Sequence, residues 1–150
     1  MTEVEQAGAQ AYFALLEASV RLFGAVDRHL RREGNITHAQ FEILTKLSTQ
    51  SDGMRMTDLA DVLLISPSGL TYQVAQLERR CLLSRARSSK DDRVVLVRTT
   101  PAAHDLIEQL VPGHIALVRS AFAGIASEND LSTLTRILIE ITKAIRTIGS

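Results

Sequence analysis

The residues best suited to do chemistry in this chain fall within 66–100, SPSGLTYQVAQLERRCLLSRARSSKDDRVVLVRTT. Leu70, Val74 and Leu77 recur at i, i+4 and i+7, the stripe of a helix with one buried face. That stripe leaves Ser68, Thr71, Tyr72, Gln76 and Arg79 toward solvent, and Gln73 joins them as a candidate contact. These are mostly hydrogen-bonding types. Ser, Thr and Gln reach base edges in a major groove, where Gln pairs bidentately with adenine, and Tyr stacks or bonds a phosphate. Beyond the helix, Arg85, Arg87, Lys90 and Arg93 crowd into a segment of strand composition, with Asp91 at its turn. Such a cluster neutralises phosphates.

Local signals position these groups. Ser66 is a good N-cap and Pro67 suits the first helical position, so a helix is expected to start there. The runs 83–88 and 93–99, joined by Ser89-Lys90-Asp91-Asp92, predict a hairpin whose second strand carries Val94-Val95-Leu96-Val97. Residues 78–98 hold seven basic side chains against three acidic ones, a formal +4 in a chain whose total is +0. The remainder is correspondingly acidic, and the asymmetry matters more than the total. Arginines in an exposed hairpin also serve plain solubility. A capped helix with a polar face immediately before a hairpin with Arg at its tip favours DNA.

At 150 residues with 45% apolar side chains, the chain suffices for one sizeable core. No run of ~18 apolar residues exists, which argues against a membrane partner. The start, Met-Thr-Glu-Val-Glu, lacks the basic opening of a signal peptide, so a cytoplasmic setting is expected. One cysteine, Cys81, fits a reducing compartment. His29, His38, His104 and His114 form no HExxH or tight pair, and no metal site or cofactor is expected. Without a nucleophilic triad, phosphate loop or dinucleotide fingerprint, the expectation is not an enzyme.

The rest of the chain is mostly helix. Over 4–32, Tyr12, Phe13, Leu15, Leu16, Val20, Phe23 and Leu30 spread across more than one face, and Gly34-Asn35 ends the segment. Thr37 and Gln40 read as a capping box opening a helix through Leu47. Thr57 reads as the cap of a short helix to Leu64. Helix, turn, helix, then hairpin is the winged helix-turn-helix order. Thr100-Pro101 opens a long helix that Pro112-Gly113 should kink or break. Ser127 and Asp130 resemble a capping box for a last helix, where Leu131, Leu134, Leu138, Ile141, Ile145 and Ile148 are spaced as a heptad seam. The fold class expected is mainly α with a small β-hairpin. Residues 36–100 form the DNA module; 1–34 and 101–150 form a dimerisation region whose interface includes Tyr12, Leu16, Leu131, Leu134, Leu138, Ile141 and Ile145. Packing of the seam within a monomer is the alternative.

The order of elements and the segments TDLADVLLISPSGLTYQVAQLERR and KDDRVVLVRTTPAA resemble the MarR family of bacterial transcription regulators over nearly the whole chain. The most specific match is the hairpin: Asp91, Arg93, the aliphatic residues 95–97, and Thr100. The resemblance implies that Arg93 enters a minor groove while Asp91 orients it. An Arg there is drawn by the groove's negative potential. It further implies a homodimer on a pseudo-palindromic duplex, repression, and release by a small effector such as an aromatic acid or phenolic. Arg21 and His38 are candidates for an anionic ligand, with a solvated surface role as the alternative. The sequence departs from the family pattern at Tyr72, Gln73, Ala75, Gln76, Cys81 and Val94, which removes charge from the helix that reads bases and shifts readout toward neutral hydrogen bonds. Two other readings stay open: a redox sensor acting through Cys81, and a helical adaptor whose winged helix no longer binds DNA.

Overall fold

Thr2 opens the first helix. Its hydroxyl accepts from the Glu5 N–H at 3.2 Å while its own N–H donates to the Glu5 carboxylate at 2.6 Å, a reciprocal box that satisfies two free donors. The helix, α1 (Glu3–Gly34), ends at Asn35, which takes the left-handed conformation at φ 51°. In the computed structural model residues 2–148 are described; residues 1, 149 and 150 of the expected terminal segments lie outside them.

The second helix, α2 (His38–Ser48), starts on the Thr37–Gln40 box read from the sequence, with both reciprocal bonds present at 3.1 and 3.0 Å. Its neighbour α3 (Met56–Leu63) corrects one expectation, because Thr57 is not its cap. Met54 pairs with Val97 through both backbone groups, at 3.0 and 2.8 Å. That bridge fixes the chain just before Arg55, so the helix begins ahead of Thr57 and without a side-chain cap. The fourth helix, α4 (Pro67–Arg79), has Ser66 as N-cap, its hydroxyl accepting from the Gly69 N–H at 3.2 Å. Strands β1 (Leu83–Arg87) and β2 (Val95–Thr99) pair antiparallel, Leu83 opposite Thr99 and Arg87 opposite Val95. Two helices complete the chain, α5 (Pro101–Phe122) and α6 (Glu128–Ile148).

The chain divides into two units, Met1–Ile115 and Ala116–Ser150. In the first, α2 is central and packs on α1, α3, α4 and β2. Its Ile43, Leu44 and Leu47 are sealed from solvent together with Leu30, Leu59, Leu70, Val74, Leu77 and Val97. Truncating any such leucine to alanine typically costs 2–5 kcal/mol. Of the kink or break expected at Pro112-Gly113, the break does not occur, and α5 is one helix through both residues. Pro112 removes one intrahelical hydrogen bond without ending the helix, and Gly113 beside it lets α5 approach α1, since a Cβ there would lie 2.7 Å from His29 Cε1.

In the second unit, α6 opens on the expected box. Asp130 N–H donates to the Ser127 hydroxyl at 3.2 Å, and Ser127 N–H to the Asp130 carboxylate at 3.0 Å. Val118, Phe122, Leu131, Leu134 and Leu138 line an open apolar groove of about 540 Å3.

Gly53 carries the turn into the Met54 bridge at φ +83°, and a Cβ there would stand 2.4 Å from the Val97 carbonyl oxygen. Gly53→Ala is expected to cost about 2 kcal/mol or more through combined strain and clash. For a chain of this size that lowers Tm by about 4–8 °C, checked by thermal unfolding.

Candidate nucleic-acid interface

Because Leu70, Val74 and Leu77 are anchored in the core, the opposite face of α4 has to be exposed. Ser68, Thr71 and Tyr72 lie fully on it, Tyr72 with 61% of its surface open. The Ser66 hydroxyl is occupied as the cap, and the Thr71 hydroxyl donates to the Pro67 carbonyl at 2.8 Å. Thr71 therefore presents an acceptor outward. Gln76 is half-buried and its amide oxygen accepts from Arg79 Nη1 at 3.2 Å, leaving its amide N–H groups as donors. Gln73 turns further in, with its Oε1 buried and without a hydrogen-bond partner.

The hairpin brings Arg85, Arg87, Lys90, Asp91 and Arg93 together, and their pairing divides them sharply. Arg85 is held by Glu78 across two oxygens, at 2.8 and 3.4 Å. Arg87 donates to the Asp92 carbonyl at 2.6 Å. Arg93 alone is clamped and yet projects: its Nε and Nη2 donate to the two Asp91 oxygens at 3.1 Å each, its backbone N–H to Oδ1 at 3.0 Å, and 90% of its side chain stays exposed. These bonds from Arg93, side chain first and backbone second, hold the Asp91 carboxyl below its usual range, so it stays ionised. Exposed pairs of this kind contribute about 0–1 kcal/mol to stability, far less than one core leucine. Their consequence is orientation. Asp91 presets the direction in which Arg93 points.

Three further basic groups were not separable by sequence alone. Arg80 turns back to α1, donating to the Asn35 carbonyl at 2.5 Å and the Gly34 carbonyl at 3.1 Å. Arg98 donates to the Asp52 carbonyl at 2.8 Å. Both sit in the basic stretch but brace the fold. Arg55, outside that stretch, adds its charge to the field at Asp91 because the Met54 bridge carries it to the hairpin.

Cys81 is exposed and takes the left-handed conformation at φ 57°, while its carbonyl accepts from the Thr100 hydroxyl at 2.7 Å. Arg21 pairs with Glu17 at 2.8 Å on the open side of α1, whereas His38 is half-buried with its ring edge-on to Phe23, centroids 4.7 Å apart. Of the expected interface residues, Tyr12, Leu16, Leu134, Ile141 and Ile145 are 56, 44, 42, 39 and 61% exposed, and Leu131 and Leu138 are half-buried in the groove.

A capped helix with a polar face, seated on a second helix and followed by a basic hairpin with a preset Arg, defines a winged helix-turn-helix transcription regulator. The comparisons agree. Residues 36–95 match the MarR family. The crystal structure of AbsC, a MarR family transcriptional regulator from Streptomyces coelicolor, is 30% identical over 98% of this chain and 97% of its own, with a TM-score of 0.84. Sco3205 of the same organism, solved in complex with DNA, is 27% identical over 96% of this chain and 89% of its own, also at 0.84. The transcriptional activatory protein BadR of Rhodopseudomonas palustris is 28% identical over 87% of this chain and 75% of its own. The chain belongs to the MarR family of transcription regulators, and is accordingly a non-enzymatic DNA-binding protein.

Arg93→Ala is expected to weaken binding to every duplex and to lower the salt slope by about one unit, whereas Asp91→Ala weakens it less, by freeing the guanidinium rather than removing it. Gln76→Ala should instead cost about 1–3 kcal/mol on the preferred sequence only. Titrations against preferred and scrambled duplexes at several salt concentrations separate the two patterns; a salt slope unchanged by Arg93→Ala would refute the first.

Proposed function

We propose that the chain acts as a homodimer on a pseudo-palindromic duplex, with the polar face of each α4 in a major groove and each Arg93 in the flanking minor groove. The single observation that carries this reading is Arg93, extended 90% into solvent yet fixed at both ends of its fork by Asp91. A residue that only solubilised the hairpin would gain nothing from such a clamp. The relative Sco3205, whose structure contains DNA, supports the same use of the fold.

Dimerisation is supported by apolar surface that each unit leaves open. In α1, Tyr12, Phe13, Leu16 and Val20 are exposed, and in α6, Leu134, Ile137, Ile141 and Ile145. Water is a poor neighbour for so much hydrocarbon, and a second copy covers it. Repression is the sign we assign, because a dimer seated across a promoter excludes polymerase without further contacts. The relative BadR is named a transcriptional activatory protein, so activation is the alternative sign. Release by a small anionic effector is part of the reading, with Arg21 and His38 as its contacts.

Selection of bound sequences from a random duplex pool tests the function. An enriched inverted repeat is expected, and recovery of no preferred sequence would favour the adaptor reading. Ile141 and Ile145 are exposed in a single chain, so changing both to Asp should leave the monomer folded. Sedimentation should then show monomers, with DNA affinity reduced by about 100-fold or more through lost bivalency. A wild-type protein that sediments as a monomer at micromolar concentration would refute the dimer.

A further inference from the structure

Titratable groups that the DNA-facing role does not use gather where α1, α2 and α5 meet. His29 belongs to α1, His38 is the first residue of α2, and His114 belongs to α5. The His114 ring is tilted against Phe41, centroids 4.9 Å apart, and His38 stands edge-on to Phe23. His29 Nε2 and His114 Nδ1 are buried without a hydrogen-bond partner, although both residues are only half-buried overall. The His29 ring also lies flush against Gly113, so the cluster has no slack.

We propose that His114, packed beside His29 and His38, is a proton-operated junction: neutral, it seals α5 against α1 and α2, and its protonation in an acidifying medium unseats α2 and lowers affinity for DNA.

The charges facing the cluster explain why protons cannot be absorbed quietly. From α2, the Glu42 carboxylate lies 3.7 Å from His38 Nδ1 and offers a counter-ion to that ring. From α1, Asp27 is already committed, one oxygen accepting from Arg31 at 2.6 Å and the other from the His38 N–H at 2.8 Å. Glu33, whose carboxyl senses the charge of His29, is taken by Arg32 at 2.7 Å. A second imidazolium is thus confronted by a like charge. Burial first, then the charges of His38 and His29, hold His114 below the usual imidazole value.

The sign follows from linkage. With His114 kept neutral in the packed form, that form binds fewer protons than an opened one, so it is favoured above about pH 6.5 and loses ground below. One proton shifts the balance by up to about tenfold per pH unit. Loosening reaches the interface because α2 carries, on Ile43, Leu44 and Leu47, part of the core on which α4 rests.

The DNA half of the proposal rests on the function assigned above, and the test reads the two halves apart. In the full chain, His114→Phe keeps a ring against Phe41 and removes an unpartnered nitrogen; His114→Gln replaces it if that variant does not fold. His104→Phe is the control, since His104 Nε2 bonds Thr99 Oγ1 at 3.0 Å away from the cluster. From about pH 8 to about pH 5.5, hydrogen-exchange protection factors of the first turn of α2 and affinity for the selected duplex are measured. Wild type and the His104 variant should lose both below about pH 6.5, affinity by several-fold to about tenfold per unit, while the His114 variant stays flat. Equal pH dependence in wild type and His114 variants, or protection in wild type that does not change with pH, would overturn the junction. Normal loss of protection with no binding to any duplex would retire the DNA-binding half and leave the junction standing.

Discussion

The seating of α4 on α2 is the constraint from which the rest of the molecule follows. Leu70, Val74 and Leu77 have no accessible surface, nor do Ile43, Leu44 and Leu47. Six such side chains outweigh by far the exposed ion pairs around them, since each contributes several kilocalories against at most about one for a surface pair. Burial of one stripe dictates which residues of α4 face outward, and the hydroxyls, phenol and amide of that face inherit their direction from leucines that touch no nucleic acid. The hairpin is fastened to the same core through Val97, which is sealed while its backbone holds Met54. A shift of α2 by a fraction of a turn would therefore move both the reading helix and the hairpin.

Much of this was legible in the sequence because its causes are local. Capping boxes at Thr37-Gln40 and Ser127-Asp130 are four-residue signals, and the helices begin where those signals stand. Two expectations met distant parts of the chain. Thr57 lost its cap role to a strand bridge reaching Val97, and Pro112 did not break α5, which runs through it as one helix beside α1. The same distinction governs the charges. Composition counted seven basic residues in 78–98, but could not show that Arg80 and Arg98 are bonded to carbonyls 45 and 46 positions away. Nor could it gather His29, His38 and His114, whose proximity is a product of the tertiary fold.

The two ends of the chain show a second kind of incompleteness. Residues of α1 near Tyr12 and of α6 near Ile145 obey helical periodicity and good capping, yet neither face is covered within its own unit. Local sequence rules thus build these helices fully while leaving their packing unfinished. Such a division is what a symmetric assembly requires, because the surface that completes each copy is the same surface on another. It also separates the two kinds of information in the chain. In the dimer proposed above, apolar periodicity at the ends would set how far apart the two copies of α4 are held, and polar groups in the middle would set what each one reads.

The pairing of the arginines bears on how affinity is obtained. A free Arg side chain carries roughly 2 kcal/mol of rotamer entropy, and ordering it on a phosphate or in a groove costs much of that. Here Arg85, Arg87 and Arg93 have already accepted the restriction on folding, through Glu78, the Asp92 carbonyl and Asp91. Two of these partners are carboxylates, which reduce net positive charge and so weaken the long-range attraction to DNA. The structure thus exchanges field strength for geometry. With Tyr72 and Gln76 neutral on α4, little of the basic charge of the hairpin is free to move toward phosphates. In the interface proposed above, fit would add to the hydrogen bonds of Gln76: a duplex whose minor groove is already narrow at Arg93 would be favoured over one that must be deformed there.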